Sequence, residues 1–360
     1  MSPSPRVVVA MSGGVDSSVA AALLVQQGYE VVGMMLRLWS EPGSEAENRC
    51  CTPAAMAMAR RVSSLLGIPF YALDARETFR QQVVDYFING YAQNTTPNPC
   101  LACNRSIRWG FLLEHALAAE AQFMATGHYV RLLTEPDGRR MVLAGSDLAK
   151  DQSYVIHVLN QEQLSHAIFP LGEYTKPQVR QLARDFKLPV AERAESQDLC
   201  FLGSEDYRTF LARHAPRTLE PGPILDRQGR QVGSHQGLAF YTIGQRKGLG
   251  IAAPQPLYVA EKDPARNALI VGTLSELGES ELTAAEVNWI SGAPPAGPSR
   301  LQVKIRYRAS PAWAMVTPLP GKRLHVRFEQ PMRDITPGQA AVVYDGPVCL
   351  GGGIIQPKGA

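Results

Sequence analysis

The chain has 360 residues, a length that suits two or three domains, and an ordinary globular composition with 45% hydrophobic and 19% charged residues. Its formal net charge of +3 is too small to mark a nucleic-acid binder by bulk charge, so any basic surface must be local. No apolar run is long enough to span a bilayer, and the first residues lack the pattern of a signal peptide. We therefore expect a cytoplasmic protein with no membrane partner, whose six cysteines serve metal binding, redox chemistry or catalysis.

Strand and helix signals alternate over the first 130 residues. Strands are predicted at 6–11, 29–36, 68–73 and 122–126, and helices at 16–27, 53–66, 78–91 and 108–120. This alternation predicts an α/β fold with a doubly wound, mostly parallel sheet whose ligands bind at the carboxyl ends of its strands.

The remaining chain changes character in steps. A hairpin is predicted around a turn at residues 136–138, helix returns over 154–190, and short strands with Gly/Pro turns dominate from 221 onward. The last eighty residues or so predict a small β-barrel or sandwich. The expected domains are an N-terminal α/β domain 1–204, a small central domain 205–275 and a C-terminal β-barrel 276–360.

The segment Ser12-Gly13-Gly14-Val15-Asp16-Ser17-Ser18 stands between the first strand and the first helix. Its glycines let backbone N–H groups approach an anion, and the helix N-terminus adds partial positive charge. The serines can donate hydroxyls, and Asp16 is placed to hold the Mg²⁺ that accompanies a polyphosphate. A tight turn capped by Asp16 is the alternative, although such a turn needs neither two glycines nor three hydroxyls.

This loop lacks the G-K-[ST] of a Walker P-loop, so it is not aimed at a γ-phosphate. It resembles the pyrophosphate loop of the N-type ATP pyrophosphatases. The resemblance implies that ATP is split between its α- and β-phosphates and that AMP is transferred to a carbonyl oxygen. By itself the loop indicates the type of reaction and leaves the substrate open.

Three cysteines are candidates for chemistry. Cys100 and Cys103 form a C-x-x-C, and Pro97 and Pro99 disfavour helix there, so we expect both thiols on a loop before a helix that begins near residue 108. A helix N-terminus with Arg105 and Arg108 would favour their thiolates. Cys200 follows a hundred residues later. A structural zinc site is the alternative, although three thiols leave its fourth ligand missing.

Seven segments that run through most of the chain together resemble one family, the bacterial tRNA-specific 2-thiouridylases. They are MSGGVDSS, TPNPCLACNRSIRWG, ATGHY, KDQSY, PLGEYTKPQVRQLA, ESQDLCF and SHQGLAFYTIGQRKGLGI. The resemblance implies that ATP adenylates the C2 oxygen of a tRNA wobble uridine and that sulfur then displaces AMP to give 2-thiouridine. It also implies tRNA as substrate and a sulfur donor, a cysteine desulfurase or a relay protein, as partner.

By position in that family, Cys103 is the nucleophile and Cys200 carries the persulfide, and the cycle leaves a 103–200 disulfide to be reduced. The chain departs from a common family pattern, which has aspartate where Cys100 stands. Cys100, Cys103 and Cys200 together would supply the three thiolates of a [4Fe–4S] cluster with one open iron. Both mechanisms stay open at this point. Cys50, Cys51 and Cys349 are expected to be structural.

The resemblance also implies binding residues. Those for ATP are Ala10, Met11, Ser12, Gly13, Gly14, Val15, Asp16, Ser17, Leu36 and Gly127. Those for the target uridine are Asn98, Pro99 and Cys100. Those for the rest of the tRNA are His128, Lys150, Asp151, Gln152, Arg306, Tyr307 and Gln339. The alternatives for single members are a core leucine, a turn glycine, a structural histidine and a solvated turn.

The β-rich end supplies a local basic surface. Strand alternation over 303–308 predicts Lys304, Arg306 and Arg308 on one face, either as a track for phosphates or as a solvated strand edge. The loop 244–248 resembles a second RNA-facing element. Two other functions stay open: an adenylating synthetase for a small metabolite, and a non-catalytic RNA-binding protein with structural zinc.

Overall fold

The N-terminal part of the chain folds around a five-stranded sheet in which neighbouring strands run parallel. The computed structural model describes residues 4–41, 52–193, 199–203 and 205–359. In spatial order the strands are Phe70–Asp74, Glu30–Arg37, Arg6–Ala10, Phe123–Ala125 and Ala167–Ile168. Val7 and Val9 enter one core cluster and Val8 enters another, because successive side chains of a strand point to opposite faces. The sheet is thus covered on both faces, which confirms the doubly wound α/β prediction.

Helices alternate with these strands along the chain. They are Val15–Gln26, Pro53–Leu66, Arg76–Phe79, Asp85–Ala92, Pro99–Ala102, Leu113–Ala118, Ser153–Ile156, Gln161–Ser165 and Lys176–Asp185, with wider π-helical turns at Arg80–Val84 and Cys103–Leu112. Val15–Gln26, Pro53–Leu66 and Lys176–Asp185 share one core cluster with the sheet. None of the described helices combines the length and the apolar character needed to cross a membrane.

The expectation that Cys100 and Cys103 lie on a loop is wrong. Residues 99–118 form one continuous helix, here called the cysteine helix, in which both thiols lie within the first two turns. Pro99 occupies the first helical turn, where a missing N–H costs nothing, and the Asn98 side chain accepts the Cys100 backbone N–H at 3.1 Å. The proline thus begins the helix instead of preventing it.

The C-terminal part is a six-stranded antiparallel barrel. Its strands are Glu279–Trp289, Ser299–Lys304, Ala312–Leu319, Arg323–Met332, Ala340–Asp345 and Val348–Ile355. The barrel closes where the first strand pairs with the last, with Ala284 opposite Ile355. This confirms the predicted β-barrel.

The predicted hairpin around residues 136–138 is present, as strands Val130–Thr134 and Arg140–Ala144. Its partner is distant in sequence, because Val142 pairs with Cys349 on the last barrel strand. The hairpin therefore extends the C-terminal sheet and joins the N-terminal part of the chain to the barrel.

The central part contains a four-stranded sheet with a small core of its own. Its strands are Gly222–Leu225, Gln231–His235, Tyr258–Asp263 and Ala268–Gly272. The helix Tyr207–His214 precedes this sheet, and its Phe210 packs with Phe87 and Phe201 of the N-terminal part. The domain boundaries near 204 and 275 stay predictions.

Candidate active site

One cleft of about 1720 Å³ gathers residues from all three parts of the chain. The residues predicted to bind ATP, to react through a thiol or to contact tRNA line this cleft, apart from Gly13 and the loop 244–248. The central part contributes Thr242, and the barrel contributes Lys304, the turn after it, Gln339 and Tyr344. The predicted residues, scattered between 10 and 339 in the sequence, thus meet around one space.

The phosphate loop, residues 10–17, leaves the first strand at the carboxyl edge of the parallel sheet. Gly13 has φ +68°, and a Cβ there would lie 2.3 Å from the Ala55 carbonyl oxygen, so a side chain has no room. Gly127, which follows the strand Phe123–Ala125, approaches the same loop: a Cβ on it would lie 2.9 Å from the Ser17 nitrogen. The loop is held by two close backbone approaches that only glycine permits.

Hydroxyl groups close the phosphate loop on itself. The Ser12 backbone N–H donates to Ser17 Oγ at 3.1 Å, and the Ser18 hydroxyl donates to the Gly14 carbonyl at 2.7 Å. The helix Val15–Gln26 begins here, and its first residues, Val15, Asp16 and Ser17, line the cleft. The arrangement is that of an anion site at a helix N-terminus.

The structure places a protein cation at Asp16, where the sequence predicted Mg²⁺. The Lys176 ammonium lies 2.7 and 2.8 Å from the two Asp16 carboxylate oxygens, and the Tyr129 hydroxyl donates to one of them at 2.8 Å. A Mg²⁺ ion at this carboxylate would have to displace Lys176, so Asp16 does not fit that role in this arrangement. Lys176 supplies a positive charge beside the phosphate loop, and its side chain is only 10% exposed.

Lys176 and Arg193 are site residues that sequence reasoning did not assign. Arg193 donates to the Gly13 carbonyl at 2.6 Å, while Arg180 donates to the carbonyls of Ala191 and Arg193. The helix Lys176–Asp185 therefore supplies the cation at Asp16 and, through Arg180, holds the backbone of Arg193, whose side chain bonds to the loop. The available signal was the segment PLGEYTKPQVRQLA, whose lysine immediately precedes the proline of a helix start.

Hydrogen bonds connect the cysteine helix to the end of the parallel sheet. The buried Asn104 side chain donates to the Cys100 carbonyl at 3.0 Å and accepts from Arg108 at 3.5 Å. Arg108 lies 3.1 Å from His128 Nε2, and Thr126 Oγ1 lies 2.7 Å from His128 Nδ1. Because a guanidinium only donates, Nε2 is the accepting nitrogen and Nδ1 carries the proton.

Burial, reinforced by the neighbouring Arg108, holds the pKa of His128 well below its ordinary value. The ring is therefore neutral near pH 7, and its two nitrogens already bond to protein groups. A tRNA contact by His128 stays a prediction, and what the structure shows is a histidine that positions Arg108.

The thiols at 100, 103 and 200 line the same cleft. Cys100 is exposed and the other two are half-buried, and no disulfide joins Cys103 to Cys200. Cys103 and Cys200 both pack against the aromatic cluster that contains Phe79 and Phe201. The thiols carried by two segments a hundred residues apart thus meet one apolar wall.

The ligand set for an iron–sulfur cluster does not assemble. Within the described ranges, no three His, Cys, Asp or Glu side chains are grouped so that they could hold a metal ion. The cations expected to favour thiolates have other partners as well, since Arg105 pairs with Glu286 at 3.0 Å and Arg108 meets His128. Cys50 and Cys51 lie outside the described residues, and Cys349 is a buried thiol whose pKa is raised by burial to about 12.

The predicted tRNA residues 150–152 differ in what they present to the cleft. The Asp151 carboxylate is buried and accepts the Gly145 and Ser153 backbone N–H groups at 3.2 and 3.0 Å. The Gln152 side-chain oxygen accepts the Tyr129 N–H at 2.9 Å. Lys150 is half-buried on the cleft wall. Two of these three side chains thus help to shape the cleft.

The predicted alternation over residues 303–308 is only partly right. Val303 and Ile305 are buried as expected, but the strand ends at Lys304, so Arg306 and Arg308 lie in the turn beyond it. Lys304 is not a solvated cation either, because its side chain is 12% exposed and lies 3.8 Å from Asp151.

Arg306 and Gln339 reach other parts of the chain. Arg306 donates at 2.7 Å to the Ile243 carbonyl of the central part and to the Thr336 hydroxyl. Gln339 donates to the Thr96 carbonyl at 2.8 Å. Tyr307 packs edge-on against Tyr154 with ring centroids 6.1 Å apart. In the loop 244–248, Arg246 and Lys247 are exposed.

A glycine-rich loop at the carboxyl edge of a parallel sheet, in a cleft that three thiols also line, is typical of a nucleotide-dependent α/β enzyme. Family models match in three consecutive stretches: the tRNA methyl transferase HUP domain over residues 5–204, the tRNA methyl transferase PRC-barrel domain over 208–273 and the aminomethyltransferase beta-barrel domain over 279–355.

Similar full-length proteins make the assignment more specific. The tRNA-specific 2-thiouridylase MnmA of Moorella thermoacetica is 49% identical over 97% of this chain and 99% of its own length. The proteins of the same name from Chloroflexus aurantiacus and Magnetococcus marinus are 48% and 49% identical over 98% and 99% of this chain, and over 99% and 100% of their own lengths. The chain belongs to the tRNA-specific 2-thiouridylase family, which confirms the resemblance seen in the sequence.

Proposed function

We propose that the chain is an ATP-dependent tRNA-uridine 2-sulfurtransferase, acting in the cytoplasm on the wobble uridine of tRNA. The observation that carries this proposal is that the phosphate loop and the thiols of Cys103 and Cys200 line one cleft. Residues 1–204 form the catalytic domain in this proposal, while the central and C-terminal domains, 205–275 and 276–360, guide the tRNA.

ATP binds with its phosphates on the loop 10–17. Backbone N–H groups and the helix N-terminus stabilise the anion, and Lys176 is a buried cation beside the loop. Leu36, half-buried at the end of its strand, and Gly127 border the space for the nucleoside. Mg²⁺ enters as the counterion of ATP, and no step is assigned to it.

The target uridine enters beside Asn98, Pro99 and Cys100 at the start of the cysteine helix. Enzymes that act on a base take it out of its stack, so the base must reach this pocket as an extruded nucleotide. The uridine O2 attacks the α-phosphorus of ATP, and pyrophosphate leaves. Adenylation turns a poor leaving group at C2 into a good one.

Sulfur arrives as a persulfide on Cys200, supplied by a cysteine desulfurase or a relay protein. The Cys103 thiolate attacks the Cys200 sulfur, a disulfide forms between the two cysteines, and the terminal sulfur leaves as hydrosulfide. Hydrosulfide adds to C2, AMP departs, and loss of a proton gives 2-thiouridine. A thiol reductant then restores both cysteines.

No step passes through an iron–sulfur cluster, because the described thiols form no ligand group. Anaerobic purification tests this choice. A colourless protein without iron that is fully active with a sulfur donor is the expected result. A brown, iron-containing protein whose activity depends on that iron would contradict the persulfide mechanism and favour a cluster-bound sulfide.

The reaction itself is tested by its products. We expect release of AMP and pyrophosphate that is stimulated by tRNA bearing a wobble uridine, together with 2-thiouridine in the digested tRNA by mass analysis. Release of ADP would contradict the proposal. AMP release stimulated by a small metabolite and not by tRNA would favour an adenylating synthetase instead.

The walls of the cleft fit a polyanionic substrate. Lys150 lies on one side, while Arg306 and the exposed Arg308 lie on the barrel side. Arg246 and Lys247 extend the basic surface onto the central domain. Phosphate contacts of this kind position a nucleic acid without reading its sequence, which suits an enzyme that receives a folded tRNA.

A further inference from the structure

The segment that leads into the cysteine helix is held by a turn of the C-terminal barrel. The Thr96 backbone N–H donates to the Pro337 carbonyl at 2.8 Å, and the Thr96 carbonyl accepts from the Gln339 side chain at 2.8 Å. Both backbone polar groups of Thr96 are therefore bonded to residues 337–339, more than two hundred positions later in the sequence.

Gly338 shows how close this approach is. Its φ is +92°, and a Cβ on it would lie 2.9 Å from the backbone nitrogen, carbon and oxygen of Thr96. Real Cβ atoms do not come this near to backbone atoms, so the turn packs against the Thr96 backbone with no room for a side chain at Gly338.

The central domain and the preceding helix hold Thr96 and its neighbour from other sides. The Thr242 hydroxyl lies 3.5 Å from the Thr96 hydroxyl. Gly90, near the end of the preceding helix, packs against Pro97, where a Cβ would meet the proline ring at 2.7 Å. All three parts of the chain therefore meet at this segment. Because it is packed on several sides, a shift of the barrel turn 337–339 should shift the segment as well.

The cysteine helix begins three residues after Thr96. Asn98 caps the Cys100 N–H, and Pro99 starts the helix that carries Cys100 and Cys103. Because a helix moves as a rigid unit, the position of its first turn fixes where both thiols stand in the cleft.

We propose that the turn 337–339 is a positioning element for the thiols, through which the barrel sets the geometry of the cysteine helix. Gly338 and Gln339 then govern the rate of sulfur transfer more than the affinity for ATP or tRNA, a reading that rests on the proposed function. Gln339, predicted as a tRNA contact, already donates its amide to Thr96.

The test compares two glycine substitutions in the same barrel. Gly338→Ala adds a Cβ against Thr96, whereas Gly321→Ala adds one at a similar positive φ of +73° with nothing within 4 Å. Both substitutions place an alanine at a positive φ and so introduce similar backbone strain. The difference between the two variants therefore reports the contact with Thr96. The measurements are kcat for thiolation, Kd for ATP and for tRNA, and the rate at which iodoacetamide alkylates Cys103 in the ligand-free protein.

For Gly338→Ala we expect kcat to fall roughly tenfold or more, since a displacement of about 1 Å in a reacting group has effects of this size or larger. Its Kd values should stay near those of the wild type, and the alkylation rate of Cys103 should change severalfold. Gly321→Ala should match the wild type in all four measurements. An unchanged kcat and alkylation rate in Gly338→Ala, or a loss confined to tRNA affinity, overturns the proposal.

Gln339→Leu decides the question if Gly338→Ala does not fold. It keeps the volume of the side chain and removes the donor to Thr96, so kcat and Cys103 alkylation should change with little effect on tRNA affinity. A loss of tRNA affinity at unchanged kcat would make Gln339 a tRNA contact only. If the wild-type protein makes no 2-thiouridine, the proposed function fails, while the alkylation rates still decide whether the turn positions the thiols.

Discussion

The two walls of the cleft are built in different ways. The nucleotide wall has a contiguous centre, the loop 10–17 between one strand and one helix, and its further contacts come from the N-terminal part of the chain, such as Gly127 and Lys176. The thiol wall is assembled from the cysteine helix, Cys200, Thr242 and the barrel turn 337–339. The nucleotide wall therefore needs only the N-terminal part of the chain to fold, whereas the thiol wall needs all three parts in place.

Both walls use the same device to fix a reactive element. Gly13 admits the Ala55 carbonyl to the phosphate loop, and Gly338 admits the Thr96 backbone to the start of the cysteine helix. In the first case the approaching group lies 42 residues away (55 − 13), and in the second 242 residues away (338 − 96). Damage to the barrel should therefore reach the thiols and leave the nucleotide site intact.

The largest expected effect comes from removing a thiol. Cys200→Ser and Cys103→Ser should each lower thiolation by roughly a thousandfold or more, because serine can neither hold a persulfide sulfur nor form the disulfide. ATP affinity should stay at the wild-type value, since both thiols pack against the aromatic cluster of Phe79 and Phe201. Cys349→Ala, at a buried thiol that does not line the cleft, is the matched control and should retain activity per folded molecule. Loss of ATP binding in Cys200→Ser would show that the two walls of the cleft do not act independently.

Removing the cation of the nucleotide wall should have the next largest effect. Lys176→Met should slow AMP formation by roughly a hundredfold, a size typical for loss of one preorganised group that stabilises developing charge. tRNA affinity should not change. Lys187→Met, at an exposed position two residues beyond the end of the same helix, provides the control. An equal loss of tRNA affinity in Lys176→Met would show that the nucleotide wall is not independent.

The sequence was informative where a function is local. The phosphate loop, the parallel sheet and the barrel follow from short-range patterns of glycine, apolar period and turn residues. Lys176 was missed because its partner Asp16 lies 160 residues away, and no local pattern links them. The start of the cysteine helix is hard to predict because proline disfavours a helix interior, whereas Pro99, with Asn98 before it as the cap, begins the helix.

The contacts of several residues that were predicted to bind tRNA could not be inferred from the alternation of side chains along a strand either. Arg306 follows a strand that ends at Lys304, and only the assembled structure shows that it bonds to Ile243 and Thr336. Gln339 likewise shows its partner Thr96 only after the barrel has met the N-terminal domain. Side chains whose partners come from another domain carry no sequence signal of their own.

A smaller effect is expected at the joint between the central domain and the barrel. Arg306→Ala should weaken tRNA binding about tenfold and reduce the salt slope of that binding by about one, as for the loss of one phosphate contact. ATP affinity should not change. Arg300→Ala, on the strand Ser299–Lys304 but paired with Glu329 and away from the cleft, should leave tRNA binding as it is. A weakened affinity with an unaltered salt slope would mean that Arg306 acts only by joining the two domains.

The smallest effect concerns acid stability of the assembled wall. His157 is fully buried at the seam with the barrel, where Asn288 donates to its backbone carbonyl at 2.6 Å. Burial lowers the pKa of this histidine from 6.5 to about 4. Between about pH 4 and pH 6.5, His157 therefore binds a proton in the unfolded chain but not in the folded chain. The free energy of unfolding consequently rises with pH across that range.

The stabilising contribution of a neutral His157 is complete above pH 6.5 and is lost as pH falls toward about 4. The loss should reach about 3 kcal/mol, from 1.36 kcal/mol per unit of pKa difference. Urea unfolding at pH 7, 5.5 and 4.5 measures it, and His157→Gln, which cannot take up the proton, should flatten the slope. If His157→Gln keeps the full wild-type slope, the acid sensitivity belongs to another buried group, with His128 on the nucleotide side as the first candidate because burial lowers its pKa as well.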